Sequence, residues 1–224
     1  MNNTRNLEKA ICFMIADSQL ALKSEILYNL CGCYDMERKR IEIEAKFSLT
    51  NKEDTLVKLK KLGKKVEENN YQKDIYYTPA HENFLEKKPI LEWLRVRDTK
   101  EEKTINYKNW GNHDGNNKIS CKEIEVGIDD YNGMLEMLNA LDFKQIIVVE
   151  KTRNSFEYNN IIISIDSIEN LGDFIELEFK TNLYDNEDES MKYIMDTIEE
   201  LGINVGKQIF AGYPQLVMKK NNCI

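Results

Sequence analysis

The 224 residues predict an α+β protein centred on a large, mainly antiparallel sheet, curved or closed into a barrel, with helices laid against it. Three observations carry this. Segments in which apolar and charged residues strictly alternate recur along most of the chain, as half-buried strands require. Between them stand a few stretches with apolar residues at helical spacing. Only 3 Pro and 10 Gly punctuate the whole, too few for linkers between separate modules, and the length suffices for one substantial core.

The elements follow in order. Residues 7–34 carry apolar positions at helical spacing and end on Cys31-Gly32-Cys33, so 1–35 reads as an appended helical extension and 36–224 as the body. Met36 leads directly into the first strand and is expected to be an alternative or the true start of the native chain, which a mass measurement of its N-terminus tests. Over 40–47, Ile41, Ile43, Ala45 and Phe47 fall on one face and Glu42, Glu44 and Lys46 on the other. Thr50-Asn51-Lys52-Glu53 then supplies an N-cap and capping box for a helix over 52–62, which Gly63 ends. Strands are expected over 64–68, 71–77, 91–98, 104–110, 120–128, 146–155, 161–167 and 174–180, with amphipathic helices over 130–141 and 187–201. Residues 109–117 read as a hairpin loop from their turn residues, with His113 an exposed loop histidine.

Composition removes several function classes. A net charge of −8 argues against binding to nucleic acid or to an anionic membrane, so any polyanion must meet a local basic site. Five cysteines without paired CxxC spacing support neither a disulfide framework nor a zinc site, and a reducing, cytoplasmic setting is the simpler expectation. The longest apolar stretch, 10–16, is far short of the ~20 residues that span a bilayer. It follows Arg5 and Lys9 as a signal peptide would, but Asp17, Lys23 and Glu25 break that pattern. GxSxG, GxGxxG and HExxH are all missing from the sequence. Gly202 to Lys207 is not a P-loop, being one residue short and lacking the following Ser or Thr.

The chemistry lies in the charged faces. Glu42, Glu44 and Lys46; Arg95 and Arg97; Glu123 and Glu125; Lys151 and Arg153; and Glu176, Glu178 and Lys180 each recur at period two. A solvated outer face explains any single such strand. Two features oppose that reading here. The residues between the charges are large and apolar, so helices packed outside would turn the charges inward. The charged faces also hold like-sign pairs about 6–7 Å apart, which repel by roughly 2–3 kcal/mol each at an effective dielectric near 20. Acid pairs then call for a divalent cation and basic pairs for a polyanion, which together describe a slot for a metal-chelated polyphosphate. With only His81 and His113 in the chain, all-oxygen ligation points to Mg²⁺ or Mn²⁺.

Glu42-Ile43-Glu44-Ala45-Lys46 resembles the ExExK signature of the CYTH, or triphosphate tunnel metalloenzyme, superfamily. Leu94-Arg95-Val96-Arg97, Lys108, Glu123-Ile124-Glu125, Lys151-Thr152-Arg153, Asp166 and the run from Leu171 to Glu178 follow in the family's order, so the resemblance spans about 36–216. Gln72-Lys73-Asp74-Ile75-Tyr76-Tyr77 looks most like the class IV adenylyl cyclase branch. The resemblance implies an eight-stranded antiparallel barrel with helices outside and a triphosphate bound along its tunnel. It implies that Glu42, Glu44, Asp166, Glu176 and Glu178 hold metal, and that Lys46, Arg95, Arg97, Lys108, Lys151 and Arg153 grip phosphate. It places Glu123 and Glu125 beside the substrate and Glu44, Lys46 and Lys108 at the chemistry. Lys207 is a further phosphate-ligand candidate, its alternative being a solvated loop lysine, and Tyr213 stands where relatives carry a closing aromatic. Trp93 and Trp110 read as packing residues rather than base-stacking platforms.

The resemblance therefore implies phosphoryl transfer: cyclic AMP and pyrophosphate from ATP, or hydrolysis of tripolyphosphate or thiamine triphosphate on the same scaffold. A noncatalytic polyphosphate or nucleotide sensor is the remaining alternative, opposed by the full carboxylate set. A homodimer is expected from frequency alone.

Overall fold

The computed structural model describes residues 41–111, 120–179 and 187–223, and among these the side chains of Ile41, Glu42, Ser120 and Glu187 are excepted. The boundary expected at 35/36, the loop residue His113 and Lys180 lie outside the described residues.

Strand β1 (Ile41–Leu49) buries Ile43, Ala45, Phe47 and Leu49, as its alternation predicts. Helix α1 (Lys52–Leu62) starts at Asn51, whose side chain accepts the Asp54 amide at 3.1 Å. Gly63 ends it in extended backbone, not in the left-handed region. A side chain would be crowded there, because a Cβ would stand 3.2 Å from Phe156 and 3.1 Å from the Leu59 carbonyl.

Where two strands were expected, a single 15-residue strand β2 (Lys64–Thr78) runs, paired along β6 (Lys144–Tyr158). Asn69 and Asn70 resemble a turn, but Asn69 takes φ 49° within a register shift and gives its amide to Asn154 Oδ1 at 3.0 Å, so the ladder continues past it. Strands β3 (Glu92–Thr99), β4 (Lys103–Asn109) and β5 (Ser120–Gly127) follow. Helix α2 (Tyr131–Ala140) is capped by Asp130, which accepts from the Gly133 amide at 2.9 Å. Strands β7 (Ile161–Ile168) and β8 (Gly172–Phe179), helix α3 (Glu187–Glu200), strand β9 (Val205–Gln208) and helix α4 (Tyr213–Lys220) complete the described chain. No described helix is long and apolar enough to cross a membrane.

The class is α+β, with four helices and one antiparallel sheet among the described residues, but the expected eight-stranded barrel is corrected. Nine strands are ordered β5-β4-β3-β2-β6-β7-β8-β1-β9. The strands that would close a barrel, β1 and β5, share only three residue pairs, from Ile41–Lys122 to Ile43–Ser120, and β9 takes the far part of β1 through Phe47 and Leu49.

Helices cover the outer face as the apolar periodicity requires. Leu59 of α1 and Ile194 and Ile198 of α3 pack with Ala45, Phe47, Ile163 and Leu177, while Leu138 of α2 packs with Ile75, Tyr77 and Val96. The arrangement with every helix outside is a second correction. Helix α4, which alternation did not reveal, sets Tyr213 and Met218 among Tyr76, Trp93, Val149, Ile168 and Phe174. By period two those residues share the inner face with Asp74, Arg95, Lys151, Asp166 and Glu176, so α4 blocks one end of the charged interior.

Candidate functional site

The inner faces of seven strands line a cavity of about 260 Å³. β1 supplies Glu44 and Lys46, β3 supplies Arg95 and Arg97, β4 supplies Asn106 and Lys108, and β5 supplies Glu123 and Glu125. β6 supplies Lys151 and Arg153, β8 supplies Glu176 and Glu178, and Tyr76, Trp93, Trp110 and Tyr213 complete the wall toward α4. Five carboxylates and six cations therefore share one small interior, confirming that the charged faces turn inward.

They are interleaved, not sorted into an acidic and a basic wall. Arg97 donates through Nε and Nη2 to the two oxygens of Asp74 at 2.7 and 2.8 Å, and Arg95 stands 3.8 Å from the same carboxylate and 3.3 Å from Glu125. Arg153 makes an equivalent fork on Asp166 at 2.7 and 2.6 Å and reaches Glu176 at 3.0 Å, while Lys151 donates to Asp166 at 3.0 Å. Lys108 lies 3.3 Å from Glu44 and 3.8 Å from Glu123. Asn106 donates to both Glu123 and Glu125. Lys46 sits over the Tyr213 ring at 4.1 Å, with Lys151 at 4.9 Å on that ring, so one aromatic face gathers two ammonium groups.

Burial sets the electrostatics. It would raise the Asp74 carboxyl, but Arg95, Arg97 and Lys151 overcome it and hold Asp74 at about 2. Asp166 behaves alike: burial pushes up, and Arg153 and Lys151 pull it well below the carboxylate range. Burial and the Glu44 charge push Glu176 up, yet Lys46, Arg153 and Lys151 keep it below its ordinary value. Glu178 goes the other way. Burial raises it to about 7, and the charges of Glu176, Glu44 and Glu123 add to that against the pull of Lys108.

Of the residues expected from sequence, Glu44, Lys46, Arg95, Arg97, Lys108, Glu123, Glu125, Lys151, Arg153, Glu176 and Glu178 come together on this wall. Two do not join them. Asp166 is fully buried behind the wall, with both oxygens taken by Arg153 and Lys151, so it anchors cations instead of facing the cavity. Lys207 is exposed on β9 and lies outside the cavity lining. The Glu42 side chain is not among those described. Sequence reasoning missed Asp74, Asn106 and Tyr76, and it assigned Trp93 and Trp110 to packing alone, although both also line the cavity. The signal for Asp74 was available: Gln72, Asp74 and Tyr76 share one face of β2, opposite the apolar Ile75 and Tyr77.

A divalent cation fits the chemistry of this donor set. Glu44 and Glu178 are directly opposite on paired strands, a like-charge juxtaposition that disfavours the folded state unless a counter-charge is present. Burial raises the Glu178 carboxyl first, and the charges of Glu176, Glu44 and Glu123 push the same way. Among the described residues, no three carboxylate, histidine or cysteine side chains are already gathered as a ligand set. Glu44 is engaged by Lys108, and Glu176 by Arg153.

Fold and cavity thus define an antiparallel-sheet protein with an ion-paired interior suited to a multiply charged anion. Residues 40–213 match the CYTH domain, and the chain belongs to that family. Members of the superfamily are enzymes and generally depend on a divalent metal. A protein of Methanocaldococcus jannaschii named "Putative adenylate cyclase MJ0240" is 31% identical over 176 residues, covering 79% of this chain and 98% of that one. Among solved structures, PH1819 of Pyrococcus horikoshii OT3 is 26% identical with a TM-score of 0.67, covering 80% of this chain and 99% of that one. HpAC1 of Hippeastrum, a protein described as having a dominant triphosphatase activity, shares the fold at 14% identity and a TM-score of 0.53, covering 81% of this chain and 95% of its own.

Proposed function

We propose that the protein is a cytoplasmic, Mg²⁺- or Mn²⁺-dependent enzyme that converts ATP to cyclic AMP and pyrophosphate. The observation that carries this is the convergence of Lys46, Arg95, Arg97, Lys108, Lys151 and Arg153 on one 260 Å³ cavity whose wall also holds Glu44, Glu176 and Glu178. The name of the archaeal relative supports the choice of reaction.

The guanidinium N–H groups of Arg95, Arg97 and Arg153 that Asp74 and Asp166 leave free donate to phosphate oxygens, and the lysines add point charges. Asp74 and Asp166 hold Arg97 and Arg153 in place before substrate arrives, so little reorganisation is needed when charge develops. Glu44, Glu176 and Glu178 would hold the cation, which when bound neutralises phosphate charge. The ribose 3'-hydroxyl attacks the α-phosphorus, and pyrophosphate leaves while retained by the basic side chains. Positioning and charge neutralisation do most of the work in such transfers.

The same wall would serve attack by water on a terminal phosphorus of tripolyphosphate or thiamine triphosphate. The triphosphatase activity ascribed to the Hippeastrum neighbour favours keeping this second reading. Incubation of the purified protein with Mg²⁺ or Mn²⁺ and, separately, ATP, tripolyphosphate and thiamine triphosphate distinguishes them. Cyclic AMP with pyrophosphate supports the first reading and orthophosphate the second. Absence of product from all three would overturn both in favour of a sensor.

A further inference from the structure

Lys46 is held differently from the other cations of the cavity wall. Arg95 and Arg97 meet Asp74, Lys108 meets Glu44, and Lys151 and Arg153 meet Asp166, all at 3.8 Å or less. Lys46 is also buried, at 8% exposed, yet among the described residues no carboxylate lies within ion-pair distance of its ammonium. What it meets is the Tyr213 ring, with Nζ 4.1 Å from the centroid.

The two residues are built together. The Ile209 amide donates to the Lys46 carbonyl at 2.8 Å, which ties the segment leading into α4 to the backbone of Lys46 itself. Tyr213 then opens α4, with Pro214 in the first turn, and its ring is set edge-on against Phe174 with centroids 5.3 Å apart. The buried Tyr213 hydroxyl has no hydrogen-bond partner, so the ring and not the hydroxyl is the part in use. Burial, with the charges of Asp166 and Glu176, raises that hydroxyl well above its ordinary value, so the ring carries no charge of its own.

This difference matters where an anion must bind. A carboxylate stabilises a buried ammonium by cancelling its charge and occupying its N–H donors. A ring face stabilises it through the quadrupole, leaving the net charge standing and N–H donors open. We propose that Tyr213 is a positioning residue that keeps Lys46 charged and unclaimed, so that this ammonium meets an incoming phosphate without first giving up a carboxylate. The proposal rests on the triphosphate-binding role given to the charged cavity.

The test measures dissociation constants for inorganic tripolyphosphate by titration calorimetry in the full-length protein. The variants are Tyr213→Phe, Tyr213→Leu, and Tyr213→Phe with one, two or three fluorines on the introduced ring, which drain its face of electron density with little change of shape. Tyr213→Phe should bind within about two-fold of the wild type, and Tyr213→Leu about 5- to 30-fold more weakly. Each added fluorine should weaken binding further, and with Lys46→Met the fluorine series should lose most of its slope, which a role in packing alone would not produce. Should Tyr213→Leu fail to fold, the fluorinated set decides. Equal affinities across that set, or an undiminished slope with Lys46→Met, would overturn the proposal while leaving the charged cavity intact. Failure of the wild-type protein to bind tripolyphosphate would instead remove the underlying reading, and the proposal with it.

Discussion

Replacing Asp74 by Asn tests the architecture of the charged interior at one of its two most buried carboxylates. Asp74 is 1% exposed and accepts the Arg97 fork at 2.7 and 2.8 Å, with Arg95 at 3.8 Å. Its carboxyl lies at about 2, against an ordinary 3.8. A difference of that size makes the ionised form responsible for about 2 kcal/mol of folding stability at neutral pH. The substitution does more than remove this contribution, because it leaves the half-buried Arg97 guanidinium without its counter-charge and Arg95 with Glu125 alone. Breaking a buried pair in this way typically costs about 3–5 kcal/mol. For a chain of this length, a melting temperature lower by roughly 6–20 °C is expected. Tripolyphosphate should restore part of the loss, since its oxygens supply the acceptors that Arg95 and Arg97 no longer have.

The pH dependence has a definite sign. A depressed folded-state value means that the stabilisation is complete above about 4 and lost as pH falls through about 2. Urea unfolding of the wild type between pH 5 and pH 2 should therefore show a loss that the Asn variant lacks. A variant that melts at the wild-type temperature, in a buffer free of phosphate and metal, would refute the claim that Asp74 neutralises both arginines.

Three further outcomes are expected. Glu44→Gln should lower metal-dependent turnover roughly 100-fold or more, while melting in chelator holds or rises because the repulsion toward Glu178 is relieved; product formation and calorimetry check the two halves. Arg97→Lys should weaken tripolyphosphate binding by about 1.5–3 kcal/mol despite the retained charge, as titration calorimetry would report, because an ammonium cannot reproduce the fork. Lys207→Ala should change substrate affinity less than about two-fold, since this side chain is exposed on β9 outside the cavity lining, and a ten-fold change would return it to the site.

Period two made much of this interior legible in advance. Glu44 and Lys46, Arg95 and Arg97, and Glu176 and Glu178 share a face simply because strand side chains alternate, and the apolar residues between them required helices outside. Alternation tells which face a residue occupies and nothing about its depth. Asp166 is therefore on the expected face yet lies beneath the wall, covered by Arg153 and Lys151. Local turn chemistry misled at Asn69, where a side chain 85 residues away supplies the acceptor that lets the strand continue. Helix α4 spans only Tyr213–Lys220, too short for a periodic signal, although Pro214 in its first turn was a usable start marker. Which wall it would close depended on non-local packing with Phe174 and Trp93, which no local pattern encodes.

The paired interior also explains why anion and cation should bind together. The three arginines, Lys108 and Lys151 would each have a carboxylate to release on turning to a phosphate, and the carboxylates differ in how readily they would let go. Asp74 and Asp166 are buried at 1% and 0% exposure and hold their arginines through forks, so they stay. Glu176, which meets Arg153 at 3.0 Å, and Glu44, which meets Lys108 at 3.3 Å, are under the proposed function the partners that phosphate would displace. On the proposed function, the displaced carboxylates would add their charge to that of Glu178, whose carboxyl burial and its acidic neighbours already raise. Together with the phosphate oxygens they would then form an all-oxygen site that suits a hard divalent ion. Tripolyphosphate affinity should accordingly fall at least ten-fold in chelator, a coupling that Glu44→Gln weakens if the two sites are linked through these carboxylates.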